Sequence, residues 1–139
     1  MPHKQDDIVV ANGVFDILHI GHIELLKFAK SLGGRLVVAI NSDRSVKRLK
    51  GEDRPVNKEA DRKAVLQSIK YVDEVIIFDA EKPTELIETL QPQIVVKGGE
   101  WTADEIRVRD NVPAHIAVKV FPIVSGYSSM KTIQHIRRE

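Results

Sequence analysis

The chain has no cysteine, no apolar run long enough to span a membrane, and almost no excess of either charge. Each absence removes a class of function. Without cysteine there is neither a disulfide framework nor a thiolate metal site, which fits a reducing cytosol. With 21 Lys and Arg against 20 Asp and Glu, the formal charge is +1. No global field therefore recruits nucleic acid or a membrane surface, and any anion site must be local. The opening "MPHKQDDIVV" lacks the apolar core of a signal peptide. No G-x-G-x-x-G follows the first apolar run, which argues against a dinucleotide dehydrogenase, and no G-x-x-x-x-G-K-[ST] supports a P-loop kinase or ATPase. The expected setting is the cytoplasm. What remains is 139 residues, 42% hydrophobic and 29% charged, which is one soluble domain, residues 1–139, by the usual size prior.

Short apolar runs rich in β-branched residues alternate with longer amphipathic ones. Strands are expected at 8–11, 36–40, 75–78, 94–96 and 116–121, several of them apolar on both faces, as in a parallel sheet covered on both sides. Helices are expected at 22–32, 58–70 and "TELIETLQ" between Pro83 and Pro92, with a weaker pattern at 102–110. A last helix at 129–138 places Met130, Ile133 and Ile136 on one side, with Ser128 as N-cap. The stretch "SDRSVKRLKGEDRPVN" (42–57) shows no clear apolar period and reads as a long basic loop, of a length that is usually functional. The alternation implies βαβ units and an α/β, doubly wound, mostly parallel five-stranded sheet with helices on both faces.

Ligands of such a sheet bind outside the carboxyl ends of its strands. There the chain places Gly13, Asp16, His19 and His22 after the first strand, and Asn41, Asp43 and the basic segment after the second. "KGGEW" follows the fourth strand and "SGYSSMK" the fifth. Imidazoles, cations, hydroxyls and helix N-termini on one rim suit a polyphosphate. Positioned N–H donors would stabilise charge developing on a nucleotide α-phosphate and on departing pyrophosphate, with no covalent intermediate. By itself the H-x-G-H sequence could be two histidines capping a turn. The pair does not read as a zinc site, since neither cysteine nor H-E-x-x-H completes one.

"HIGH" after "GVFD", with "SSMK" near the end, resembles the small cytidylyl- and adenylyltransferases of the nucleotidyltransferase superfamily, over nearly the whole chain. "NGVFDILHIGH", "AINSDRSVKRLKGEDRPVN" and "VVKGGEW" look most like the adenylyltransferase domain for D-glycero-β-D-manno-heptose 1-phosphate, which often sits behind a sugar-kinase domain. The resemblance implies a Rossmann-like fold, a free-standing transferase form and a homodimer. It also implies Mg²⁺ accompanying the nucleoside triphosphate. By the same resemblance His19 and His22 contact the α-phosphate and bridging oxygens, and Lys50 joins them as a catalytic cation. Lys47 covers the triphosphate and Arg62 reaches phosphate oxygens. Gly13, Phe15, Gly98, Gly99 and Glu100 border the nucleotide, and Ser128 and Ser129 hold the β- and γ-phosphates. Asp16 orients the loop or a substrate hydroxyl, with Asn41, Asp43 and Trp101 as further acceptor contacts. Trp101 suits core packing equally well.

Two departures stand out. The family's Ser-Thr-Thr reads Ser128-Ser129-Met130 here, one hydroxyl short, and the arginine that glycerol-3-phosphate cytidylyltransferases carry just before it is replaced by Ile123 and Val124. The first choice is therefore adenylyl transfer to heptose 1-phosphate, with cytidylyl transfer to glycerol 3-phosphate as the alternative. A nucleotide-binding regulatory module without turnover is the rival from another class.

Overall fold

The computed structural model describes residues 7–122. Five strands form one sheet: β1 (Ile8–Gly13), β2 (Arg35–Asn41), β3 (Glu74–Phe78), β4 (Ile94–Gly98) and β5 (Ala117–Phe121). Every pairing is parallel, in the order β3-β2-β1-β4-β5. The helices are α1 (Ile20–Ser31), α2 (Asp43–Lys50), α3 (Glu59–Gln67), α4 (Thr84–Leu90) and α5 (Ala103–Arg109). The Rossmann-like α/β architecture is the expected one. All five strand runs fall where expected, and the weak pattern at 102–110 is a helix capped by Thr102 in a reciprocal box with Glu105. The helix and serine motif expected over 128–138 lie outside the described residues.

The strands are apolar throughout because both faces are covered. Along β1, Val9 and Ala11 enter one core with Leu36, Val38 and Ile40, while Val10 joins Val37 and Ala39 on the opposite face. This is the two-residue alternation of a pleated strand. Leu25, Leu26 and Ala29 of α1 and Leu66 of α3 complete the first core. Ile87 of α4 and Ile106 of α5 meet Val95 and Val118 on the other side. With neighbouring strands on both sides and helices on both faces, β1 is buried, and the turn at its carboxyl end has a firm base.

The stretch 42–57 departs from expectation, since its first half is the helix α2. Ser42 caps it by accepting the Ser45 N–H (3.1 Å), Asp43 lies in its first turn, and Lys47, Arg48 and Lys50 lie in its last. These are favourable ends for the helix dipole. Only Ser45 and Val46 of this helix are buried, so almost no apolar face exists to produce a period. Its basic side is tied down: Arg44 pairs with Asp79 (2.7 Å), and Arg48 donates to the Asp79 carbonyl.

Candidate functional site

The sheet order reverses at β1. The chain leaves it for β2 and β3 on one side and returns for β4 and β5 on the other, which creates a crevice at the carboxyl ends of β1 and β4. A cavity of about 480 Å³ lies there, lined by Asn12 and Gly13 at the end of β1, Lys97 and Gly98 at the end of β4, and Asn41 at the end of β2.

The turn after β1 brings the two histidines into this cavity. Phe15 holds a positive φ of 51°, unusual for a bulky side chain, and folds its buried ring back under Gly13. A Cβ on Gly13 would come 3.1 Å from Phe15 Cε2, so glycine leaves the ring its place. The ring stands 5.5 Å from that of His22. His19 is the N-cap of α1, and its Nδ1 accepts the Gly21 N–H at 3.0 Å. His22, three residues on, completes the exchange: its Nδ1 accepts the His19 N–H at 3.2 Å. The spacing is that of a capping box, with imidazoles in the places usually held by Ser or Thr and by Glu or Gln.

This capping fixes the tautomers. A ring nitrogen that accepts a hydrogen bond carries no hydrogen, so each neutral imidazole bears its proton on Nε2. Burial pushes the His19 pKa down. Burial, and then the neighbouring His19, push His22 down to about 4. With ring centroids 4.1 Å apart, two charged imidazoles would repel each other. At neutral pH the pair is therefore two neutral donors beside the positive end of a helix dipole.

Cations complete the walls. Lys50, Arg54, Lys97 and Arg109 line the cavity against the carboxylates of Asp16 and Glu81. Desolvation, followed by the Arg54 charge, lowers the Lys50 pKa. Desolvation lowers Lys97 most, Arg109 and Lys50 lower it further, and Asp110 opposes them. Arg109 also lies over the Trp101 indole, 4.9 Å from its centroid. Beside them Gly99 adopts a φ of 127°, and its N–H meets the Phe121 carbonyl at 3.1 Å. A side chain there would be strained and would press on Trp101 Cδ1 at 3.3 Å. The result is a cation-lined crevice with fixed imidazole N–H groups and one flat aromatic surface.

A family model described as cytidylyltransferase-like matches residues 10–136. The chain belongs to the cytidylyltransferase-like family. Among curated relatives, the bifunctional protein HldE of Koribacter versatilis (strain Ellin345) is 50% identical over 132 residues, which is 94% of this chain and 27% of that protein. HldE of Marinomonas sp. (strain MWYL1) is 50% identical over 130 residues, 93% of this chain and again 27% of the relative. The chain thus spans about a quarter of the length of these relatives. Among solved structures, the lipopolysaccharide core biosynthesis protein of Thermoplasma volcanium GSS1 is 34% identical with a TM-score of 0.70, covering 88% of this chain and 98% of that one. Pantothenate synthetase of Thermus thermophilus shares the fold at a TM-score of 0.58 and 19% identity, covering 88% of this chain and 58% of that one.

In this cytidylyltransferase-like chain the cavity brings together nine of the residues expected from sequence: Gly13, Phe15, Asp16, His19, His22, Asn41, Lys50, Gly98 and Trp101. Lys47, Gly99 and Glu100 do not line it; Lys47 and Glu100 are exposed, and Gly99 instead shapes the turn. Ser128 and Ser129 lie outside the described residues.

Two roles are corrected. Arg62 does not reach phosphate oxygens. Its side chain is fully buried, and four of its five N–H groups are bonded inside the protein. Nη1 donates to the carbonyls of Val14 (2.9 Å) and Asn41 (2.8 Å), Nε to that of Asn57 (3.0 Å), and Nη2 to Asp43 Oδ1 (2.8 Å). Asp43, expected to touch the acceptor, is the other half of that lock and also accepts the Glu59 N–H at 2.8 Å. Arg62 and Asp43 therefore bind the β1 turn, the end of β2 and the start of α3 together. Asp16 acts on the loop, accepting the N–H groups of Val56 (2.6 Å) and Asn57 (2.8 Å).

Lys97, Arg54 and Arg109 also line the cavity, beyond the residues expected there from sequence. Lys97 was legible as the first residue of "KGGEW" at a strand's carboxyl end. Arg54 and Arg109 arrive only through tertiary folding.

Proposed function

We propose that this chain is one nucleotidyltransferase domain. It transfers a nucleotidyl group from a nucleoside triphosphate to the phosphate of a sugar phosphate and releases pyrophosphate. The observation that carries this reading is the pair of imidazoles locked by mutual capping, with Nε2–H donors, at the N-terminus of α1 in a cationic crevice.

An oxygen of the acceptor phosphate attacks the α-phosphorus, a new P–O bond forms, and the bond to the bridging oxygen breaks as pyrophosphate departs. A phosphate dianion is already a nucleophile, so the chain's work is placement and charge stabilisation. His19 and His22 donate to oxygens on which charge grows, and Lys50 and Lys97 supply positive charge along the phosphates. Trp101, with Arg109 behind it, offers a face for a base or a sugar ring. Among the described residues no group of three His, Asp or Glu side chains could cage a metal ion, and the Asp16 carboxylate is engaged by backbone N–H groups. Mg²⁺ in this reading arrives with the triphosphate as part of the substrate.

The favoured pair is ATP and D-glycero-β-D-manno-heptose 1-phosphate, giving ADP-heptose; the alternative is CTP with glycerol 3-phosphate. Support comes from the "KRLKGEDRPVN" and "KGGEW" stretches, from the two HldE relatives, and from the Thermoplasma protein's stated role in lipopolysaccharide core biosynthesis. The absence of any cation from Phe121 to Ser129 weighs against glycerol phosphate. A cytoplasmic homodimer completes the reading; no helix among the described residues is long and apolar enough to cross a membrane.

Pyrophosphate release, measured with ATP and CTP crossed against heptose 1-phosphate and glycerol 3-phosphate, tests it. ATP with heptose 1-phosphate should give the highest rate. The reverse ranking overturns the substrate assignment, and no release from any pair leaves a nucleotide-binding module without turnover.

A further inference from the structure

Two buried arginines stand near the β1 turn in opposite states. Arg62, as described, has four N–H groups bonded. Arg54 is 4% exposed and lines the cavity, yet its Nε and Nη1 have no hydrogen-bond partner among the described residues. Its ion-pair partner, Asp16, lies 3.5 Å from Nε and already accepts the N–H groups of Val56 and Asn57. Asp16 balances the charge of Arg54 without completing its hydrogen bonds.

A buried guanidinium with unmade bonds is costly, and beside a cavity its partners are the water or the ligand that the cavity holds. Nε faces Asp16, and both Nε and Nη1 are closed off from solvent, so a ligand reaches the Nη end only with a small adjustment of the cavity wall that Arg54 lines. Met end-on, a guanidinium is a planar fork matched to two oxygens of one phosphate. Lys50 lines the same cavity and gives the site a second cation. Pinning of Val56 and Asn57 to Asp16 holds the segment after Arg54 against the β1 turn, so the arginine's backbone is placed beside the cavity before any ligand arrives.

We propose that Arg54 is the phosphate receptor of this cavity, its Nη fork taking two oxygens of one substrate phosphate with Lys50 alongside. The source of that phosphate rests on the transferase reading: either the acceptor's phosphate or one phosphate of the triphosphate supplies the oxygens. The receptor itself rests only on the geometry of Arg54.

Calorimetric titration of the full chain with Mg-ATP, and separately with inorganic phosphate as a stand-in for the acceptor's phosphate, tests the assignment in wild type, Arg54→Lys and Arg54→Met. Lysine keeps the charge and loses the fork, so Arg54→Lys should weaken one of the two probes at least tenfold, and Arg54→Met should weaken the same probe further. Loss confined to Mg-ATP assigns the receptor to the triphosphate; loss confined to inorganic phosphate assigns it to the acceptor. Thermal unfolding without ligand should leave Arg54→Lys close to wild type. Affinities within twofold of wild type for both probes in Arg54→Lys overturn the proposal. So does a large fall in the unfolding temperature of Arg54→Lys with its affinities preserved, because that pattern belongs to a purely structural arginine. Arg54-dependent binding without pyrophosphate release would sink the transferase reading and leave the receptor standing. Release with wild-type KM values in Arg54→Lys would do the opposite.

Discussion

Replacing His22 with glutamine separates its two roles. At the third position of a capping box, glutamine can still accept the N–H of the cap residue, so the start of α1 survives. What disappears is the titrating ring and the rigid placement it gives its Nε2–H; the glutamine amide keeps an N–H but not that geometry. Loss of one donor aimed at transition-state charge costs roughly 10²–10³ in turnover, and His22→Gln should fall by that amount with its fold intact. The second consequence concerns pH. Burial and His19 hold the His22 pKa at about 4, against about 6.5 in an unfolded chain. Below pH 6.5 the unfolded state therefore binds the extra proton, and stability drains away as pH falls from 6.5 towards 4, then levels off. Allowing for water in the open cavity, the His22 share is of order 1–3 kcal/mol. Urea unfolding of wild type and His22→Gln at a series of pH values reads it as a difference that narrows between pH 6.5 and 4. Parallel stability curves refute the buried neutral imidazole. Turnover in His22→Gln within a few-fold of wild type refutes a requirement for the imidazole's placed Nε2–H.

Arg62→Met strips the carbonyls of Val14, Asn41 and Asn57 and the Asp43 carboxylate of one shared donor. It should destabilise the fold by about 3–5 kcal/mol in chemical denaturation, and where folded it should keep the wild-type KM for triphosphate. Lys50→Ala should lose turnover by at least tenfold, whereas Lys47→Ala, exposed and outside the cavity, should stay within a few-fold; equal losses would restore Lys47 to the phosphate site. Trp101→Ala should raise KM for one substrate more than it lowers kcat, and an unfolding temperature several degrees lower with unchanged KM would mark the indole as packing alone. Ala at Gly99, where φ is 127°, should cost about 1–3 kcal/mol of stability, read by the same denaturation.

The sequence by itself determined the architecture. Runs such as "LVVAI", apolar at every position, suit strands buried on both faces, and alternating them with amphipathic helices leaves a doubly wound sheet as the economical solution. It also determined that the two histidines meet at the carboxyl end of β1, because His19 and His22 come directly after a buried strand and their three-residue spacing fits the first turn of a helix. Local physics carries both conclusions. Tertiary structure alone decided which charges line the cavity. Arg62 and Arg54 are eight residues apart, and their charge alone does not tell them apart. Arg62 meets three carbonyls and Asp43 when α3 docks beside the β1 turn. Arg54 meets only the already engaged Asp16 and keeps its Nε and Nη1 unbonded among the described residues. Helix α2 escaped the periodicity argument because it buries little beyond Val46 and Ser45 and is fixed by Asp79, contributed from beyond the end of β3. A polar helix held by distant partners has no apolar period to read, and the partners of a buried charge are known only once the chain has folded around it.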